Sequence, residues 1–194
     1  MSVNSICWNC ENVIPPNLFF CQKCKKIQPP KQVDEFKLMG ISETFDLDLD
    51  ELEKAYLKLQ QVFHPDKYSQ LSDQEIKYST QQSSMINEAY QKLNSSISRA
   101  TILLKLNGFN PHSVDKSFND PDVLEEIMDI QNEFLEAEGS EQKKLSIQKL
   151  NLKISETMEN LSISFKNKEY ANANKLNVKL SYLEKLRIDF KKQL

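Results

Sequence analysis

The chain has 194 residues, 39% hydrophobic and 27% charged, with a net charge of −3. That length can bury a core and hold one or two domains, and the composition is that of a globular protein with a charged surface. The slight negative charge excludes a whole-protein basic field suited to nucleic acid, and no apolar run approaches the ~20 residues of a membrane span.

Only 3 Gly stand against 10 Phe and 6 Tyr, and apolar positions recur at helical spacing, which predicts a mostly helical protein. Met1 to Ile6 carry no Arg or Lys. A mitochondrial transit peptide is longer, amphipathic and Arg-rich, so none is visible. A mature start, work in the cytosol and an unconventional import signal all remain open.

All four cysteines fall in one short stretch, as Cys7-Trp-Asn-Cys10 and Cys21-Gln-Lys-Cys24. Two C-x-x-C pairs joined by a short loop suit a tetrahedral site, because each pair offers two sulfurs to one ion. The spacing predicts a structural zinc site in a segment covering residues 1–28. Four protein ligands leave no open position for a reacting water. Disulfides are the alternative, but no secretory context supports them. Lys23, Lys25 and Lys26 read as a solvated face, with a nucleic-acid ribbon as the rival reading. Pro29-Pro30 marks a linker over 27–33.

Asp48 with Glu51 predicts a helix start, and Leu49, Leu52, Tyr56, Leu59 and Phe63 form a stripe beside Ala55 and Val62. Lys54 and Lys58 lie on the opposite face. The helix should stop at His64, since Pro65 pushes the preceding residue out of the helical region. A second helix is expected from Ser72, with Glu75 completing a capping box, through Ile76, Ser83, Ile86, Tyr90 and Leu93. The pair is a helical hairpin whose loop carries His64-Pro65-Asp66-Lys67-Tyr68.

Asp120-Pro121 reads as an N-cap followed by proline at the first helical position. Three helices are expected over 121–138, 141–166 and 168–192, broken by Gly139-Ser140. Ile147, Leu150, Ile154, Met158, Leu161 and Phe165 form one core stripe, and Ala173, Leu176, Leu180, Leu183 and Phe190 another. Three amphipathic helices with short connections close into a bundle. The predicted fold class is all-α. It comprises a helical hairpin domain over 34–108 and a three-helix bundle over 118–194, behind the small cysteine segment.

His-Pro-Asp between two amphipathic helices, after a helix with exposed lysines, is the arrangement of a J domain. Phe36-Lys-Leu-Met-Gly-Ile41, Phe45-Asp-Leu-Asp-Leu49, Leu59-Gln-Gln-Val-Phe-His-Pro-Asp66 and Ile86-Asn-Glu-Ala-Tyr90 resemble the J domain of the HscB family, as do Arg99-Ala100 and Leu103-Leu104. The Cys-Trp-Asn-Cys opening is similar to its eukaryotic members. The resemblance covers nearly the whole chain.

The resemblance implies a co-chaperone of iron–sulfur cluster assembly that hands an IscU-type scaffold to a DnaK-type ATPase chaperone and stimulates its ATPase. It assigns His64, Pro65, Asp66, Lys54 and Lys58 to the chaperone. Asp120-Pro-Asp-Val-Leu-Glu-Glu-Ile-Met-Asp129 resembles the scaffold-binding helix, which carries the scaffold contacts over to Leu124, Met128, Asp129 and Tyr182. Glu125 and Asn132 depart from the family pattern. Bundle core is the other reading of the apolar three. By resemblance the compartment is the mitochondrial matrix.

No Ser/His/Asp constellation, phosphate loop or open metal site is visible, and His112 stands alone in a loop. The expectation is therefore no catalytic residues and no chemistry of the protein's own. Rival readings are a general J-domain co-chaperone for unfolded clients and a zinc-ribbon nucleic-acid protein. The first would carry a promiscuous apolar groove or a Gly/Phe-rich linker, and 3 Gly cannot build the second. The second would need a basic stripe with stacking aromatics.

Overall fold

The computed structural model describes residues 4–16, 18–110 and 120–193. His112 lies outside these residues, as do positions 118, 119 and 194 of the expected C-terminal domain. The chain forms two compact units, divided after Ser95.

The first unit begins with the cysteine segment. β1 (Ser5–Ile6) pairs antiparallel with β2 (Val13–Ile14), with Ser5 opposite Ile14. A single bridge from Phe20 to Ile27 closes its second half. α1 (Glu35–Met39) follows, capped by the Asp34 carboxylate on the Lys37 N–H at 2.9 Å. It ends at Gly40, whose φ of +69° is a left-handed cap that glycine adopts without strain.

α2 (Leu49–Phe63) starts where the sequence predicts it, with Asp48 accepting from the N–H groups of Asp50 and Glu51. It stops at Phe63, and a short 3₁₀ turn (Pro65–Tyr68) leads to α3 (Asp73–Asn94). α2 and α3 pack as the expected hairpin, with α1 also against α3. The rings of Tyr56 and Tyr90 stack between α2 and α3, centroids 4.3 Å apart. The predicted α2 stripe is fully buried only at Leu52 and Phe63, while Leu49 and Val62 remain exposed. With Phe63 turned inward, Val62 is rotated about 100° away from the core.

The second unit contains α4 (Ser96–Leu106), α5 (Pro121–Glu136), α6 (Gly139–Lys166) and α7 (Tyr170–Lys191). α5, α6 and α7 form the expected three-helix bundle. Its core is built from Val123, Ile127 and Phe134, from Ile147, Leu150, Ile154 and Leu161, and from Leu180, Leu183 and Phe190. Phe134 and Phe190 stack with centroids 3.7 Å apart. α4 extends the bundle by packing against α7. There the Tyr170 hydroxyl donates to Asn107 at 2.7 Å and the Asn177 amide to Thr101 at 3.1 Å.

Candidate metal centre and interaction surfaces

The two cysteine pairs are built by the same local geometry. The Cys7 N–H donates to Asn12 O and the Glu11 N–H to Cys7 O, while the Cys21 N–H donates to Lys26 O and the Lys25 N–H to Cys21 O. Each turn closes on a residue with positive φ, Glu11 at 58° and Lys25 at 62°. These are two matching knuckles, and they aim their sulfurs at one point. Cys7 and Cys24 lie 3.6 Å apart through Sγ, as do Cys10 and Cys21, and all four sulfurs lie within 4.8 Å of one another.

Those distances rule out disulfides, whose sulfurs sit about 2.0 Å apart. They fit a tetrahedron of thiolates around one ion, where metal–sulfur bonds of about 2.3 Å place the sulfurs about 3.8 Å apart. The four clustered cysteines can therefore bind a metal ion. Burial opposes ionisation of Cys7, but the N–H groups of Asn9 and Cys10 and the neighbouring thiols outweigh it and lower the thiol to about 6. Cys10 is favoured as a thiolate by Asn12, yet burial and the other three sulfurs push it up to about 12. Crowded thiols cannot all ionise alone, and a cation at their centre lets them.

Several further residues support this centre, among them Gln28 and Gln82, which the sequence did not single out. The buried Gln28 side chain donates to Cys7 Sγ at 3.4 Å and to Lys26 O at 2.8 Å. The Trp8 indole donates to Ile27 O at 2.7 Å and meets Tyr78 of α3 edge-on. Gln82 of α3 donates to Gln28 O, and Lys26 pairs with Glu75 at the start of α3. The knuckles are thus fastened to the hairpin. Lys26 serves that packing rather than the solvated face read from the sequence.

The His-Pro-Asp loop is tied down at both ends and open in the middle. Phe63 and Tyr68 are buried, whereas the side chains of His64 and Asp66 are 53% and 88% exposed. The His64 N–H closes α2 onto Gln60 O at 2.9 Å, and its Nδ1 accepts from the Asp66 N–H at 3.4 Å. The Tyr68 hydroxyl donates to Val62 O at 3.1 Å. His64 and Asp66 are therefore held in place yet free to meet a partner. Lys54 and Lys58 are exposed one helical turn apart on α2, on the solvent side of the hairpin.

On the second unit, α5 presents two faces. Val123 and Ile127 are buried, while their neighbours Leu124, Met128 and Asp129 are exposed, Met128 by 61%. Leu135 continues the exposed face three turns on, a position that the 3.6-residue period would have found. Tyr182 is half-buried on α7. Lys179, one turn before Tyr182, is ion-paired with Glu126 of α5, so the two helices meet there. Glu126 points roughly 160–200° round α5 from Leu124 and Met128.

A helical hairpin presenting an ordered, solvent-facing His-Pro-Asp loop, joined to a separate bundle with an exposed apolar face, defines a J-domain co-chaperone. Residues 34–102 match the DnaJ domain family, and residues 119–191 match the family described as the HSCB C-terminal oligomerisation domain. The human protein named "Iron-sulfur cluster co-chaperone protein HscB" is 33% identical over 185 residues, 93% of this chain and 78% of that protein. The crystal structure of human HscB superposes with a TM-score of 0.92 at 31% identity, covering 97% of this chain and 98% of that one. The HscB structure from Vibrio cholerae has a TM-score of 0.73 at 27% identity and covers 82% of this chain and 96% of its own. The chain belongs to the HscB family and acts as a co-chaperone in iron–sulfur cluster assembly.

Proposed function

We propose that this co-chaperone binds an IscU-type scaffold protein through α5 and α7 and presents His64, Pro65 and Asp66 to a DnaK-type ATPase chaperone. The observation that carries this reading is the simultaneous exposure of the loop on one unit and of Leu124 and Met128 on the other. Two partners can then be held by one chain.

Lys54 and Lys58 supply positive charge that steers the hairpin toward an acidic surface of the chaperone. The Asp66 carboxylate, 88% exposed with His64 Nδ1 3.6 Å away, can accept charge-assisted hydrogen bonds from a cation of the chaperone. Leu124 and Met128 form an apolar pair flanked by Asp129, and Tyr182 adds an aromatic anchor, the composition of a small binding hot spot. The chain performs no chemistry itself: it brings scaffold and chaperone together, and hydrolysis occurs in the chaperone.

The cysteine centre holds zinc in this reading, since four thiolates at tetrahedral spacing favour that ion and close the site to reaction. The likeness to the human relative over 93% of this chain supports a eukaryotic form, and the mitochondrial matrix is the compartment that the family resemblance implies. Calorimetric titration of the full chain with an IscU-type scaffold tests the reading. Saturable one-to-one binding is expected, and equal affinity for an unfolded model client would favour a general J-domain protein instead.

A further inference from the structure

The cysteine segment reaches the His-Pro-Asp loop through aromatic rings. Phe63, the residue before His64, is 1% exposed. Its ring lies flat against Phe20, with centroids 5.5 Å apart and planes 7° from parallel. Phe19 meets the same ring edge-on at 5.0 Å. Both phenylalanines come from the cysteine segment, and Phe20 is bonded directly to Cys21. The Phe20–Ile27 bridge and the Gln28 N–H on Phe19 O hold this strand in place.

A second tie runs from the segment to the start of α3, where Lys26 pairs with Glu75 at 2.8 Å. Phe63 and Tyr68 are the two buried residues between which His64 to Lys67 are strung. Of the two, Phe63 leans directly on the cysteine segment.

We propose that the cysteine segment is a positioning element for the chaperone-stimulating loop. Phe19 and Phe20 clamp Phe63, and metal binding at Cys21 fixes Phe20, so occupancy of the four-cysteine site sets the fraction of chains whose loop is correctly placed. The inference rests on the reading that the loop stimulates a DnaK-type chaperone.

A J domain whose loop is competent only part of the time binds its chaperone with apparent affinity reduced by that fraction. Loss of the clamp therefore raises the half-stimulating concentration and leaves the plateau of stimulation in place. A purely structural role for the rings would lower thermal stability and move neither the half-stimulating concentration nor loop exchange under folding conditions. The geometry favours the first outcome because the stack covers the residue next to His64.

The test compares wild type, Phe19→Ala/Phe20→Ala, Phe20→Leu and Phe20→Tyr, all as full-length chains with metal content measured. Phe20→Leu keeps the apolar cover should the double variant fail to fold, and Phe20→Tyr keeps the stacked ring. Steady-state chaperone ATPase against co-chaperone concentration is read together with amide hydrogen exchange of Lys67 and Leu71, whose N–H groups bond to His64 O and Tyr68 O. The double variant is expected to raise the half-stimulating concentration about 3–10-fold and to speed exchange of both amides, with α6 and α7 unchanged. Phe20→Leu should fall between, Phe20→Tyr should match wild type, and removal of the metal from wild type should reproduce the double variant. Metal-loaded Phe20→Leu and double variants that match wild type in both readouts would overturn the proposal. A wild type that gives no stimulation would overturn the chaperone reading and this inference with it.

Discussion

The Lys26 ammonium reaches from the second cysteine knuckle to the Glu75 carboxylate at 2.8 Å, where Glu75 also accepts from the Ser72 hydroxyl at 2.8 Å. The carboxyl is buried, and burial alone would raise it. The hydrogen bonds from Lys26 and Ser72 outweigh that cost and hold it below its ordinary value of 4.5. A carboxyl depressed in the folded state stabilises the fold above its unfolded pKa, and that contribution is lost as pH falls through the folded value. Melting temperature should therefore drop on acidification below about pH 4.5, and Glu75→Gln should flatten part of that acid limb. Lys26→Met should cost about 1–3 kcal/mol at neutral pH by leaving a buried carboxylate unpaired. Thermal unfolding across pH checks both, and an unchanged acid limb in Glu75→Gln would show that the pair is not coupled to folding.

Replacing Cys7 and Cys10 together with Ser removes two of four ligands from a site whose sulfurs lie within 4.8 Å of one another. Elemental analysis of the wild type should show near-stoichiometric zinc, and the double variant should show none. Its far-UV helical signal should stay, because the helices lie in the hairpin and bundle and carry their own cores. Zinc retained by the variant would remove the metal assignment.

The two faces of α5 should fail in different ways. Leu124→Ala/Met128→Ala/Tyr182→Ala should melt near wild type and lose about 1–2 kcal/mol of scaffold binding per truncated side chain. Ile127→Ala opens a hole at a residue that is only 7% exposed, and should cost about 2–5 kcal/mol of stability. Calorimetry and thermal melts on the same samples separate binding from packing. A triple variant that melts early would place those side chains in the core.

Much of this architecture was legible because helices announce themselves through period and caps. Asp48, Ser72 and Asp120 start helices where their side chains predict, and α5 to α7 end within two residues of the expected limits. The clustering of the four cysteines was legible from spacing alone, since C-x-x-C fixes two sulfurs locally. The support around them was not. Gln28, Phe19 and Phe20 act through contacts with α3 and Phe63 across long sequence separations, and no local pattern encodes such contacts. Exposure on α5 was undecided for the same reason: Leu124 and Ile127 are both apolar, and only the packing of α6 and α7 says which is covered.

The central claim is that the chain stimulates a DnaK-type chaperone through the loop at His64 while holding an IscU-type scaffold elsewhere. Its most direct test is steady-state ATPase of that chaperone, with and without scaffold, using wild type and His64→Gln. His64 is mostly exposed and its Nδ1 meets exposed Asp66, accepting the N–H at 3.4 Å and lying 3.6 Å from the carboxylate, so the substitution should leave the fold and the scaffold affinity unchanged. Wild type should stimulate hydrolysis, more so with scaffold present, and His64→Gln should give only the basal rate in both conditions. Stimulation by His64→Gln equal to that by wild type would contradict the assignment of the loop.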